Sequence, residues 1–317
     1  MDDVLETLRL NCGFDEPERW VDIARRYEFR RVPATRLASC PDCGRERFEE
    51  IGRYVYYSQL MRLQHCRNCD LVFSDVRLNR STLGAHFEAA YKSDQYFEVR
   101  RALIFRRVRN LLLERFPART SVLDAGGGKG HLARLLTEAG FSVTLNDRST
   151  EACAHAREVF GLPTLVGDLV DIADGGRRFE VVLLLDVLYY LEELPRAWEA
   201  LGRLVAHPGA LMLRVPNRLW WIRRWQQVVR GLGPRRLQMR VRGFNPEHMY
   251  VFTAQYLRSR LRSAGFRNVR VLPSPPLSGP GLQRGFARAF DATCSVVARL
   301  TGGAVVASPS RFLIAER

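Results

Sequence analysis

Two cysteine pairs, Cys40 with Cys43 and Cys66 with Cys69, stand with 22 residues between them. Thiolates two residues apart can face one metal ion, because the turn between them points backbone N–H groups at the sulfurs. Two such pairs supply the four ligands of a tetrahedral centre. Four thiolates leave no position open to water, so the predicted ion is a structural Zn2+ held by Cys40, Cys43, Cys66 and Cys69. Gly44 and Asp70 follow the pairs and are residue types that tolerate the positive φ such turns often need. The other thiols, Cys12, Cys153 and Cys294, are expected to be small buried side chains.

A second constellation is Asp124-Ala125-Gly126-Gly127-Gly128-Lys129-Gly130, placed between an apolar run and a helical stretch. Glycines let a backbone approach a ligand closely, and the helix that follows offers free N–H groups. The G-x-G-x-x-G fingerprint of dinucleotide sites, counted from Gly126, needs a small residue where His131 stands and has no place for Asp124. Three further acids end apolar runs. These are Asp147, 23 residues after Asp124, then Asp168 in Gly167-Asp168-Leu169, and Asp186 in Asp186-Val187-Leu188-Tyr189-Tyr190-Leu191.

The elements that must position these residues alternate from residue 119 onward. Strands are predicted at 121–123, 142–145, 164–166, 181–185, 210–215, 269–272 and 312–315, and helices at 132–139, 152–160, 197–205 and 254–264. Alternation of this kind predicts an α/β domain with a parallel sheet covered on both faces. Before it, short strands at 53–57 and 71–73 frame the cysteine pairs as a ribbon. Phe105, Val108, Leu111 and Leu112 recur at helical spacing until Pro117. The predicted organisation is an N-terminal helical arm at 1–36, a zinc ribbon at 37–80, a helical connector at 81–118 and the α/β domain at 119–317. Insertions are placed at about 218–245 and 277–305, the second holding an amphipathic stretch from Phe286 to Leu300.

Charge narrows the function classes. The chain of 317 residues carries a net charge of +15, but of 49 basic residues only Lys92 and Lys129 are lysine, leaving 47 arginines. Such a ratio fits a chain-wide codon bias, so only local clustering of arginine carries meaning. Residues 218–242 hold eight arginines, three tryptophans (Trp220, Trp221 and Trp225) and no acid. This segment predicts either contact with an anionic, partly apolar acceptor or a membrane surface, or an amphipathic helix with its tryptophans packed inward. The chain opens Met1-Asp2-Asp3 with no basic and apolar leader, and the expected location is cytoplasmic.

The register D-x-G-x-G-x-G over Asp124, Gly126, Gly128 and Gly130 resembles motif I of class I S-adenosylmethionine-dependent methyltransferases. Asp147, the Gly167-Asp168-Leu169 turn, the run from Asp186, Pro208-Gly209, Val215-Pro216-Asn217 and Ala264-Gly265-Phe266 follow in that family's order. The resemblance implies a Rossmann-like seven-stranded methyltransferase sheet with a small N-terminal zinc-ribbon domain. It implies that S-adenosylmethionine is held by Asp124, Gly126, Gly128, Gly130, Asp147, Asp168, Leu169 and Asp186. Asp147 would accept both ribose hydroxyls, since a carboxylate has lone pairs for two donors.

Where relatives carry a Glu-His pair after strand four, this chain has Tyr189-Tyr190, so Tyr190 and His248 of the loop before 250 become the catalytic candidates. Histidine titrates near neutrality and suits a general base. The ribbon and the aromatic segment 91–97 are similar to zinc-ribbon methyltransferases of surface-polysaccharide and natural-product pathways. That resemblance implies methyl transfer to an O or N atom of a small acceptor, such as a nucleotide sugar or lipid-linked sugar. An RNA base methyltransferase with a zinc module and a non-catalytic partner protein of the same fold are the alternatives.

Overall fold

The computed structural model describes residues 33–56, 59–78, 99–217, 248–279 and 281–317. Expectations for residues 1–32, the aromatic segment 91–97 and the arginine-rich segment 218–242 lie outside these. In chain order the first strands are β1 (Ala34–Arg36), β2 (Phe48–Tyr56), β3 (Gln59–Cys66), β4 (Val72–Ser74) and β5 (Val76–Leu78). Then come α1 (Ala102–Leu113), β6 (Ser121–Ala125), α2 (His131–Glu138), β7 (Ser142–Asp147), α3 (Thr150–Phe160), β8 (Thr164–Val166), α4 (Leu169–Asp174) and β9 (Phe179–Leu185). They are followed by α5 (Leu194–Leu204), β10 (Val205–Pro216), β11 (Tyr250–Val251), α6 (Ala254–Ser263), β12 (Arg267–Ser274), α7 (Leu282–Leu300) and β13 (Ser310–Glu316).

The chain divides into two compact units, one formed by residues 1–87 with 218–256, the other by 88–217 with 257–317. In the larger unit seven strands form one sheet in the order β12-β13-β10-β9-β6-β7-β8. All pairs from β10 to β8 are parallel, whereas β13 runs antiparallel to both β10 and β12. The sheet is therefore mixed, a correction to the parallel sheet expected from alternation. The nineteen-residue α7 precedes β13 and the last strand enters between two neighbours already laid down, so its direction is not set by a β-α-β crossover.

Central β9 is a run of Val and Leu buried at every position but Glu180, as a strand covered on both faces requires. Its side chains join those of α1, α2 and β7 in one core around Val108, Leu112, Leu136, Leu145, Val181 and Leu183. The predicted helix at 197–205 begins earlier, at Leu194, and ends at Leu204, because Val205 opens β10. β-Branched Val205 pairs with Phe179, the two residues that open β10 and β9.

The smaller unit is built on a sheet of order β11-β4-β3-β2, with β1 and β5 paired beside it in sequence. Ala34–Arg36, assigned in sequence to a helical arm, is thus a strand. β3 was not among the predicted strands. Its alternation Leu60, Arg62, Gln64 against Met61 and Leu63 marks a strand with one face in the core, and Met61 and Leu63 pack with Tyr54, Tyr56, Val72 and Val76. β11 comes from far along the chain and pairs antiparallel with β4, Tyr250 opposite Phe73 and Val251 opposite Val72. The unit holding the cysteines therefore extends beyond the predicted 37–80.

Candidate cofactor site and candidate metal centre

Strand order reverses at β6, which has β7 on one side and β9 on the other, and in open α/β sheets this is where ligands meet the carboxyl ends of strands. The glycine run leaves β6 at this point. Gly126, Gly128 and Gly130 all have positive φ, and Gly130 at φ 87 is the cap residue from which α2 starts. A Cβ on Gly126 would lie 2.5 Å from a methyl of Val187, the residue that follows β9 and Asp186. The loop is pressed close against its neighbour, and only glycine fits. Gly126→Ala, at φ +70, is expected to cost about 2–3 kcal/mol of stability in chemical denaturation, with weaker cofactor binding in calorimetry.

Asp124 and Asp147 frame this loop. Asp147 is buried at the end of β7, where its Oδ2 accepts the N–H of Gly128 at 2.8 Å and its Oδ1 accepts the N–H of Ser149 at 2.9 Å. Ser149 in turn caps α3 by accepting from the N–H of Ala152. Each oxygen of a carboxylate has lone pairs for two donors. Asp124 lies beneath the glycines, and a Cβ on Gly127 would come within 2.6 Å of its Oδ2. That oxygen is buried and has no hydrogen-bond partner among the described residues. Burial pushes the Asp124 carboxyl up to about 7, reinforced by Asp147 and opposed by the Arg101 guanidinium.

The remaining candidates differ in surroundings. Leu169 is buried at the start of α4, while Asp168 before it is partly exposed, with Arg148 Nε 3.6 Å from its Oδ1. Gly167, at φ 138, donates its N–H to the Asp147 carbonyl. Asp186 sits in the left-handed region at φ 62 directly after β9, and its carboxylate is paired with both Arg101 and Arg214. Arg214 is nearly fully buried on β10 and also donates from Nε to Ser274 Oγ at 2.8 Å.

Sequence reasoning placed Asp186 with the cofactor; in the structure its Oδ2 is paired with both guanidinium groups, a contact the sequence did not reveal. The missed signal was Arg214 itself. A charge inside Leu211-Met212-Leu213-Arg214-Val215 must find a partner when buried. His131 fills the first turn of α2, with its ring in edge contact with Phe160 at 5.5 Å. Tyr190 follows β9 with its ring 4.6 Å from that of Tyr189, whose hydroxyl burial pushes well above its usual value.

In the smaller unit the four cysteine sulfurs all lie within 4.8 Å of one another. Cys40 Sγ is 3.6 Å from Cys69 Sγ, and Cys43 Sγ is 3.6 Å from Cys66 Sγ. The edge of a tetrahedron with Zn–S bonds of about 2.3 Å is about 3.8 Å, so the tetrad fits zinc, and these separations are too long for disulfides. Both turns close as expected, with the Gly44 N–H bonded to the Cys40 carbonyl and the Asp70 N–H to the Cys66 carbonyl. Gly44 has φ 68 and Asp70 φ 66. The Asp70 carboxylate also bonds His65 Nε2 at 2.6 Å and accepts the Thr253 hydroxyl at 2.6 Å, which ties residue 253 to the second turn. His248 is buried in this unit, beside Met249, whose carbonyl accepts the N–H of Ser74. Cys153 and Cys294 are buried, as expected.

A curated relative, malonyl-[acyl-carrier protein] O-methyltransferase of Pectobacterium atrosepticum, is 34% identical over 104 residues, which are 32% of this chain and 41% of that protein. The chain thus spans less than half of the relative's length. Similar solved structures include magnesium protoporphyrin IX methyltransferase of Synechocystis (20% identity, 74% of this chain, 95% of that chain, TM-score 0.48). Another is the N-methyltransferase NodS of Bradyrhizobium japonicum (15% identity, 74% and 97%, TM-score 0.47). The family model described as a methyltransferase domain matches residues 96–271, more than half of the chain and all of the segment from β6 to β9. With the glycine loop at the switch point of its seven-stranded sheet, the chain belongs to this methyltransferase domain family.

Proposed function

We propose that the protein moves a methyl group from S-adenosylmethionine to an O or N atom of a small, anionic or sugar-containing acceptor. The cofactor half of this reading is carried by one observation, the buried unpartnered oxygen of Asp124 beneath a glycine loop too close-packed for any side chain. S-adenosylmethionine is cationic at its ammonium and sulfonium groups and supplies an activated methyl for in-line transfer. Asp124 and the glycine backbone are suited to its amino-acid end and Asp147 to its ribose hydroxyls. Asp168 and Leu169 stand where its base would lie in the family resemblance. Asp186, neutralised by Arg101 and Arg214, serves to fix the turn from which Tyr190 projects.

The acceptor half rests on the arginine-rich segment 218–242 of the sequence, and on the name of the curated relative, whose malonyl acceptor is an anion methylated on oxygen. Tyr190 and His248 are the residues assigned to the acceptor, with His248 as the proton acceptor. We also propose that Cys40, Cys43, Cys66 and Cys69 hold one structural Zn2+, which would stabilise the fold of the smaller unit and take no part in the transfer.

The cofactor assignment predicts a pH dependence. Folding raises the Asp124 carboxyl from its ordinary value near 4 to about 7, so between these values the folded chain holds a proton that the unfolded chain has lost. This carboxyl alone makes stability fall as pH rises across that window. A cationic ligand favours the ionised form, so cofactor affinity should rise as pH increases through 7. Calorimetry with S-adenosylhomocysteine, whose ammonium group is retained, should show that rise in the wild type and its loss in Asp124→Asn.

The acceptor is tested by incubating the protein with methyl-labelled S-adenosylmethionine and nucleotide sugars, glycolipid precursors, small carboxylic acids and ribosomal RNA. Label in a sugar or small acid is expected. Label in RNA alone would overturn the acceptor assignment.

A further inference from the structure

α7 lies between β12 and β13 as an insertion in the sheet connection, and the methyltransferase reaction assigned above makes no use of it. It is anchored by a narrow line of small side chains, Ala287, Cys294 and Ala298, at seven- and four-residue spacing. The rest of the helix is largely open. Leu282 is 85% exposed, Phe286 77% and Leu300 83%, with Phe290 and Val296 exposed between them. Positions 282, 286, 290, 296 and 300 fall on one side of a helix with 3.6 residues per turn, a stripe about 27 Å long. A soluble surface ordinarily turns such a stripe inward.

The charges on the same helix select the occupant. Its exposed positions carry Arg288 and Arg299 and no acid, and Asp291, the one acid of α7, is half-buried, with its carboxyl raised by that burial. A second copy of the chain docked on this stripe would bring like charges together with no exposed acid on the helix to offset them. It would do so between molecules of net charge +15. A polyanion without an apolar phase would leave Leu282, Phe286 and Leu300 in water. An anionic bilayer surface satisfies both features, taking the apolar side chains into the acyl boundary while the arginines reach the headgroups. Among the described residues no helix is long and apolar enough to cross a membrane, which leaves α7 to lie in the interface plane.

We propose that Leu282–Leu300 is an interfacial helix that docks the protein on an anionic lipid surface. The test is sedimentation of the full chain with vesicles of phosphatidylcholine alone and of phosphatidylcholine mixed with phosphatidylglycerol. The wild type should sediment with the anionic vesicles, less so as salt is raised, and stay in solution with the neutral ones. The triple variant L282S/F286S/L300S alters only exposed positions. It should lose at least about tenfold in vesicle affinity while keeping its melting temperature and its affinity for S-adenosylhomocysteine.

Absence of binding by the wild type would overturn the proposal. So would a triple variant that binds as well as the wild type, which would place the contact elsewhere in the chain. A wild-type dimer in light scattering that the triple variant converts to monomer would make the stripe a contact between copies, and would overturn it as well.

Discussion

Replacing Asp147 with alanine should reduce affinity for S-adenosylhomocysteine by at least about a hundredfold. Two hydrogen bonds from ribose hydroxyls to one carboxylate are charge-assisted and contribute together about 3 kcal/mol or more in a buried setting. The same carboxylate accepts the N–H groups of Gly128 and Ser149, so its removal also frees the glycine loop and the start of α3. Both effects weaken binding. They separate by comparison with Asp147→Asn, which keeps an acceptor oxygen but loses the charge and turns one position into a donor facing backbone N–H. Calorimetry should rank the wild type above Asn and Asn above Ala, with the Ala variant also melting at a lower temperature. Equal affinity in all three proteins would remove Asp147 from the cofactor site.

The second large effect is expected at the cysteines. Among the described residues of the smaller unit, one buried cluster joins Tyr54, Tyr56, Met61, Leu63, Val72 and Val76. In small metal-bound domains the free energy of metal binding is largely folding free energy. Elemental analysis should find one zinc per chain in the wild type and almost none in Cys66→Ser. Hydrogen exchange should show the amides of β2, β3 and β4 losing protection in that variant. Its unfolding transition for these strands should fall by at least about 10 °C. The Cys40 thiol is held down at about 5, chiefly by its hydrogen bond with Cys69, so a thiolate is present at neutral pH to receive the ion. Metal-free protein with the same melting curve as metal-loaded protein would sink the assignment.

Most of the larger unit was legible because each level of the sequence pointed the same way. Val181-Val182-Leu183-Leu184-Leu185 has no polar position to turn outward, and it became the central strand. The glycine run had a helix directly after it and an acid before it, which fixed its place at the end of a strand. What escaped the sequence was pairing over long separations. Nothing local to Tyr250-Val251 says that it will join β4, and nothing in β13 gives its direction. The ion pairs of Asp186 escaped the sequence for a related reason. A strand-end acid reads as a ligand-binding group, and the two arginines that occupy it lie 85 residues before and 28 residues after it. β3 was overlooked because only Met61 and Leu63 mark its apolar face, a short signal beside the polar Arg62 and Gln64 of the other face.

The pairing of β11 with β4 also sets an order of events during synthesis. β4 ends at Ser74 and its partner begins at Tyr250, so a ribosome adding about 5–20 residues per second makes the partner roughly 10–35 s later. Until then the β4 edge, with Val72 and Phe73 that are buried in the finished chain, has no strand beside it. A fragment ending before residue 250 would carry that open edge permanently. Early truncation products are therefore the species in which this chain should aggregate, even though they contain all four cysteines.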